Sequence, residues 1–153
     1  MEGFQKTVNV FCRFRPDNDS EILTCSQCIE YSGNEPEYVA MRLSNAEHSF
    51  RFTKVFSEDT TQREIFKVCA APLLKGILGG YNAAVIAYGQ TGAGKTHTIL
   101  GREWDDPEKV GGETEGVLPR MMRGLFESIT NSRHIHLVYD IHASYIELYN
   151  ERI

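Results

Sequence analysis

Gly89-Gln90-Thr91-Gly92-Ala93-Gly94-Lys95-Thr96 is the stretch that decides the fold of this 153-residue chain. It fits G-x-x-x-x-G-K-[ST] at every fixed position, the pattern of a phosphate-binding loop. Such a loop turns a run of backbone N–H groups inward around an anion. Side chains at Gly89, Gly92 and Gly94 would obstruct that approach or forbid the φ it needs. The helix that follows adds unpaired N–H groups and a dipole that favours negative charge. Lys95 brings a mobile point charge to the β- and γ-phosphates, and the Thr96 hydroxyl suits Mg²⁺. Lys95 is therefore the one candidate for stabilising charge during phosphoryl transfer.

The flanks fit the loop. Ala83-Ala84-Val85-Ile86-Ala87-Tyr88 is a short apolar run without alternation, which predicts a strand buried on both faces. A strand, the glycine loop and a helix in succession form the arrangement such a motif requires.

Composition bounds the rest. At 41% hydrophobic and 24% charged, the chain has the balance of one globular domain with a real core. No apolar run approaches the roughly 20 residues of a membrane span. Met1 to Lys6 lacks a basic-then-apolar secretory pattern, so an intracellular protein is expected. A net charge of −5 argues against a general nucleic-acid surface, whose affinity comes from neutralising phosphates. Cys12, Cys25, Cys28 and Cys69 read as reduced thiols. The lone C-x-x-C at Cys25 and Cys28 has no second pair, which favours ordinary cysteines over a zinc site.

Taken in order, Thr7 to Arg15 alternates as a strand that sends Arg13 and Arg15 out of one face, and Pro16 stops it. These residues read either as one wall of a purine pocket or as a solvated edge. Residues 17 to 47 carry turn signals around a short strand at Tyr38–Leu43, and His48–Phe56 predicts another strand. Thr61-Gln62-Arg63-Glu64 has the spacing of a capping box. Ile65, Val68, Cys69, Leu73 and Ile77 then recur at near-helical spacing, with Pro72 expected to kink or divide the helix and Gly79-Gly80 to end it. Residues 101 to 116 have no apolar period and read as an exposed insertion, either a partner surface or a tolerated one. Pro119 suits the first position of a helix whose buried stripe is Leu118, Met121, Met122, Leu125, Phe126 and Ile129. Ile135 to Tyr149 predicts a long strand. His134, His136 and His142 share one of its faces rather than forming a metal cage, and Asp140 falls mid-strand rather than at an end where it would hold Mg²⁺.

Taken together these blocks resemble the kinesin motor domain. Tyr81-Asn82 with Ala87 through Thr98 is similar to that family's phosphate-loop block, and Cys12-Arg13-Phe14-Arg15-Pro16 to its R-x-R-P strand. Phe52-Thr53-Lys54-Val55-Phe56, Gly116-Val117-Leu118-Pro119-Arg120 and Ser144 through Glu151 resemble three further blocks, in the same order. The resemblance implies an α/β, P-loop NTPase-type fold with a central mixed sheet flanked by helices. It implies ATP with Mg²⁺, Arg13, Arg15, Pro16 and His97 lining the adenine, Gln90 to Thr96 around the phosphates, and Thr96 on the metal.

The switch motifs of that family, N-x-x-S-S-R-S-H and D-x-x-G-x-E, do not occur in these 153 residues. The chain is thus expected to be a single partial domain, residues 1–153, truncated before the switch regions. By resemblance the microtubule contacts lie in the C-terminal half of the motor. The implied function is the ATP-binding part of a microtubule motor of the cytoplasm and cytoskeleton. The alternative is a non-catalytic nucleotide-binding or partner-binding fragment. A parallel strand left with an open edge predicts that the isolated chain is unstable, or is one piece of a longer product. A small-molecule kinase or GTPase fits less well, because eighty-odd residues precede the loop and the guanine-reading N-K-x-D is absent.

Overall fold

A computed structural model describes residues 8–17, 21, 29–32, 35–43, 46–102, 111–131 and 138–152. Five strands and four α-helices are laid out among them. Of the strand expected from Thr7 to Arg15 only Phe11–Arg13 forms one among the described residues; this β1 pairs in parallel with β5 (Lys54–Phe56), in the register Phe11 to Lys54 and Arg13 to Phe56. The ring of Phe11 lies 5.9 Å from that of Phe56, centroid to centroid. This short sheet positions Arg13 and Arg15 at its end.

A second sheet is antiparallel and built of β2 (Ile29–Ser32), β3 (Glu35–Leu43) and β4 (Ala46–Arg51), in that order. The expected strand from His48 to Phe56 is thereby divided. At its middle the Phe52 amide donates to the Glu37 carbonyl and the next amide, Thr53, donates to the Val10 carbonyl. One bond goes to β3 and the next to the residue just before β1, so the chain changes sheets between β4 and β5.

The capping box forms as read. Thr61 Oγ1 accepts from the Glu64 amide at 3.2 Å, and Glu64 Oε2 accepts from the Thr61 amide at 2.9 Å. The Thr61 amide and the Thr61 hydroxyl, both donating to Glu64 Oε2, hold the Glu64 carboxyl below its ordinary pKa. Helix α1 (Gln62–Ile65) passes through a π-helical turn, Phe66–Ala70, into α2 (Ala71–Leu78). Pro72 stands in the first turn of α2, where its missing N–H costs nothing. The wider turn before it takes up the ring's clash with the preceding carbonyls. Ile65 and Ala70 meet Phe56 and Val117 in the core, with Phe11, Phe66, Val68, Cys69 and Met121 around them.

Further expectations change. Ala83 to Tyr88 joins no ladder among the described residues, and Ile86 and Tyr88 are 86% and 99% exposed. With no described strand beside the run, most of its apolar side chains stay in solvent. The described part of the 135–149 run behaves alike: 138–148 is irregular, and Val138 and Tyr145 are exposed. Helix α4 (Val117–Thr130) begins two residues before Pro119. Proline at its third position is harmless because the first four amides of a helix are unpaired in any case. Its stripe is only half covered, since Leu118 and Phe126 are exposed. An open apolar cavity of about 310 Å³ lies between α2, α4 and the 83–85 segment, lined by Leu73, Leu74, Ile77, Val85, Met121 and Leu125 among others.

The insertion is not exposed throughout. Its two ends close on each other, with Arg102 N donating to Thr114 O and Gly116 N to Leu100 O. Glu115 is 5% exposed; it accepts from the Gly111 amide and pairs with Arg123. Arg120, also buried, donates to the carbonyls of Gly112, Glu113 and Glu115. Residues 103–110 lie outside the described residues, as do Cys25, Cys28, His134 and His136.

Candidate functional site: the glycine loop and its arginine wall

The loop that precedes helix α3 (Lys95–Ile99) is bent by three left-handed glycines, Gly89 (φ 157°), Gly92 (φ 82°) and Gly94 (φ 88°). A Cβ on Gly92 or Gly94 would meet nothing within 4 Å. Within the protein, then, glycine is required there for its φ and not for space. Gly89 differs, because a Cβ on it would come 3.0 Å from that of Ala93.

The amides of this bend are almost uncommitted. Ala93 N donates to Gln90 O at 3.2 Å, while those of Gly92, Gly94, Lys95 and Thr96 have no main-chain acceptor among the described residues. This is the donor set that an oxyanion group needs, at a helix start. Lys95 Nζ donates to Gly89 O and Gln90 O, both at 2.8 Å, which folds the ammonium back over the loop's first turn. Thr96 is exposed, and its hydroxyl makes no hydrogen bond with the described residues.

The arginines of the first strand arrive at the same place. Arg15 Nε donates to the Gly92 carbonyl at 2.9 Å, and its Nη1 and Nη2 grip the two oxygens of Glu21 at 2.7 and 2.6 Å. Arg15 also donates to the carbonyl of exposed Pro16. Arg13 Nη1 donates to Gln62 Oε1 at 2.9 Å and to Thr98 Oγ1 at 2.8 Å. Thr98 Oγ1 donates in turn to the Gly94 carbonyl at 3.0 Å. Burial lowers the Arg13 pKa. His97 sits one residue before Thr98; burial, then the positive charges of Arg13 and Arg102, holds its imidazole below its ordinary pKa.

A strand end, a helix start and the glycine loop thus converge, and Arg13, Arg15, His97 and Gln90 to Thr96 come together from positions more than seventy residues apart. Asp140 does not join them. It is exposed and pairs with His142 Nε2 at 3.2 Å. No group of three or more His, Cys, Asp or Glu side chains suited to a metal gathers among the described residues. Sequence reasoning missed Gln62, Thr98 and Glu21. Thr98 had a signal, being one helical turn after Gly94. Gln62 had none beyond its place inside a capping box.

The kinesin motor domain model matches residues 13–153. This chain belongs to the kinesin motor domain family. It is 39% identical over 147 residues to kinesin-related protein 3 of Dictyostelium discoideum, covering 96% of this chain and 12% of that protein. It is 38% identical over 154 residues to the kinesin heavy chain of Neurospora crassa, covering 100% of this chain and 16% of that one. A solved structure of a fast kinesin superposes with a TM-score of 0.72 at 38% identity, over 84% of this chain and 34% of the solved one. The chain therefore spans a small part of the kinesins it matches. The α/β kinesin architecture stands, with both parallel and antiparallel pairing.

Proposed function

We propose that this chain is the N-terminal, nucleotide-holding part of a kinesin motor domain, one partial domain from 1 to 153, and that it binds ATP with Mg²⁺. The carrying observation is the bend at Gly89–Gly94, where the amides of Gly92 and Gly94, like those of Lys95 and Thr96 at the start of α3, have no main-chain acceptor among the described residues. The residues present fit the group. Gly92, Ala93, Gly94, Lys95 and Thr96 would hold phosphate oxygens through backbone N–H groups, with Gly89, Gln90 and Thr91 shaping the turn that leads to them. Lys95 would exchange two carbonyls for a charged partner, a stronger hydrogen-bond acceptor. Thr96 Oγ1 would hold the metal. Arg13, Arg15, Pro16 and His97 would bound the base.

Mg²⁺-ATP supplies the anhydride whose cleavage such a motor couples to movement along microtubules. Phosphoryl transfer depends on positioning and charge stabilisation, and within this chain Lys95 is the charge in place. The microtubule is the proposed partner, reached through other parts of the motor, and the proposed location is the cytoplasmic microtubule cytoskeleton. No described helix is long and apolar enough to cross a membrane.

A second reading, a nucleotide-binding fragment that does not turn over, is favoured by one observation: neither switch motif occurs in the sequence. Steady-state ATPase with and without microtubules separates the two. Stimulated hydrolysis supports the motor. Nucleotide binding without stimulated hydrolysis supports the fragment, and absent binding refutes both.

A further inference from the structure

Gln62 is 5% exposed, yet every polar atom of its side chain is engaged. Its Oε1 faces the Arg13 guanidinium, which can only donate. Its Nε2 faces the His97 carbonyl at 2.5 Å and the Thr114 carbonyl at 3.5 Å, which can only accept. Donors stand on one side and acceptors on the other, so the amide has a single satisfied orientation. Three segments far apart in sequence, β1, α3 and the insertion's end, meet on this one side chain. The next residue, Arg63, reaches the same insertion end through Glu113 at 2.7 Å.

We propose that Gln62 is the positioning residue of the base-side wall: its Oε1 accepts from Arg13, and with Thr98 it fixes the guanidinium beside the phosphate-loop helix. Arg13 Nη1 is committed to Gln62 and Thr98, whereas its Nε and Nη2 donate to nothing among the described residues and are left for a ligand. Gln62 touches no phosphate-loop amide. Its influence is on the base end of a nucleotide and not on the phosphate end. The inference rests on the nucleotide reading above and adds a residue to it.

The chemistry separates two substitutions. Gln62→Leu removes all three contacts at similar volume. Gln62→Glu keeps an oxygen for Arg13 but turns a second oxygen toward the His97 and Thr114 carbonyls, which repel it. The test uses the full chain and compares ATP with inorganic tripolyphosphate, which has the phosphates but no base. Amide exchange at Arg102 and Gly116 reports the insertion's closure.

Gln62→Leu should weaken ATP about 10-fold and leave tripolyphosphate unchanged. Gln62→Glu should retain ATP affinity while exchange at Arg102 and Gly116 quickens. Equal loss of both ligands in Gln62→Leu, or unchanged ATP affinity, would overturn the proposal. Should Gln62→Leu not fold, Gln62→Glu decides by itself: lost ATP affinity, or unaltered exchange, counts against. A wild-type chain that binds neither ligand would refute the nucleotide reading and this inference with it, whereas a wild type that binds both, with Gln62→Leu losing both equally, would refute the inference alone.

Discussion

Lys95, Cys69 and His97 each carry an expectation that belongs to a single side chain. Lys95 Nζ rests on two loop carbonyls, and a triphosphate offers it charged oxygens instead. Two charge-assisted bonds at about 1.5 kcal/mol each correspond to roughly 100-fold in affinity. Lys95→Ala should therefore weaken ATP by about that factor in equilibrium titration, and unchanged affinity would remove the loop from the site. Cys69 is a different case, since burial pushes its thiol up to about 11 against the opposing pull of Lys54 and Arg13. Its thiolate fraction at pH 8 should be about 100-fold below that of an ordinary thiol. Iodoacetamide labelling followed by peptide mass analysis should find Cys69 correspondingly slow. The imidazole of His97 is held down by burial and two guanidinium groups. The folded state therefore binds its proton less well than the unfolded chain. Stability is full above the unfolded value of about 6.5 and declines as pH falls below it toward the depressed folded value. Acidification from pH 7.5 to 5.5 should lower the melting temperature of the wild type more than that of His97→Asn.

Elements add what single residues do not. The base of the insertion is closed by backbone at contact distance: a Cβ on Gly116 would lie 2.5 Å from the Ile99 carbonyl. Gly116 has an ordinary φ of −80°, so space and not strain requires glycine there. Gly116→Ala should cost about 1–3 kcal/mol through overpacking, seen as an earlier denaturation midpoint with an unaltered slope. The helix from Gln62 to Leu78 was legible because its signals are local: a capping box, a near-helical stripe and a proline. The division of His48–Phe56 was not. Whether Phe52 and Thr53 bond one sheet or two depends on where Glu37 and Val10 lie, and no local pattern encodes that.

At the scale of the molecule, two apolar runs and the groove between α2 and α4 face solvent. Val85, Ile86, Tyr88, Tyr145, Ile146 and Leu148 are all exposed. Apolar surface of this extent drives association, and a segment whose backbone joins no ladder invites strand pairing. The 153-residue chain by itself should scatter light increasingly with concentration and bind an apolar dye. A monodisperse monomer that binds no dye would contradict the exposure described.

The glycine loop, the capping box and the R-x-R-P strand were determined by sequence alone, because each depends on residue types at short fixed spacing. The convergence of Arg13, Gln62, Thr98 and Gly94 was decided only by tertiary structure. These residues are joined by hydrogen bonds across up to 85 positions of chain. The fate of Ala83–Tyr88 was decided there too. An apolar run records a preference for burial, but a strand forms only where other strands offer it hydrogen bonds, and none of the described strands does.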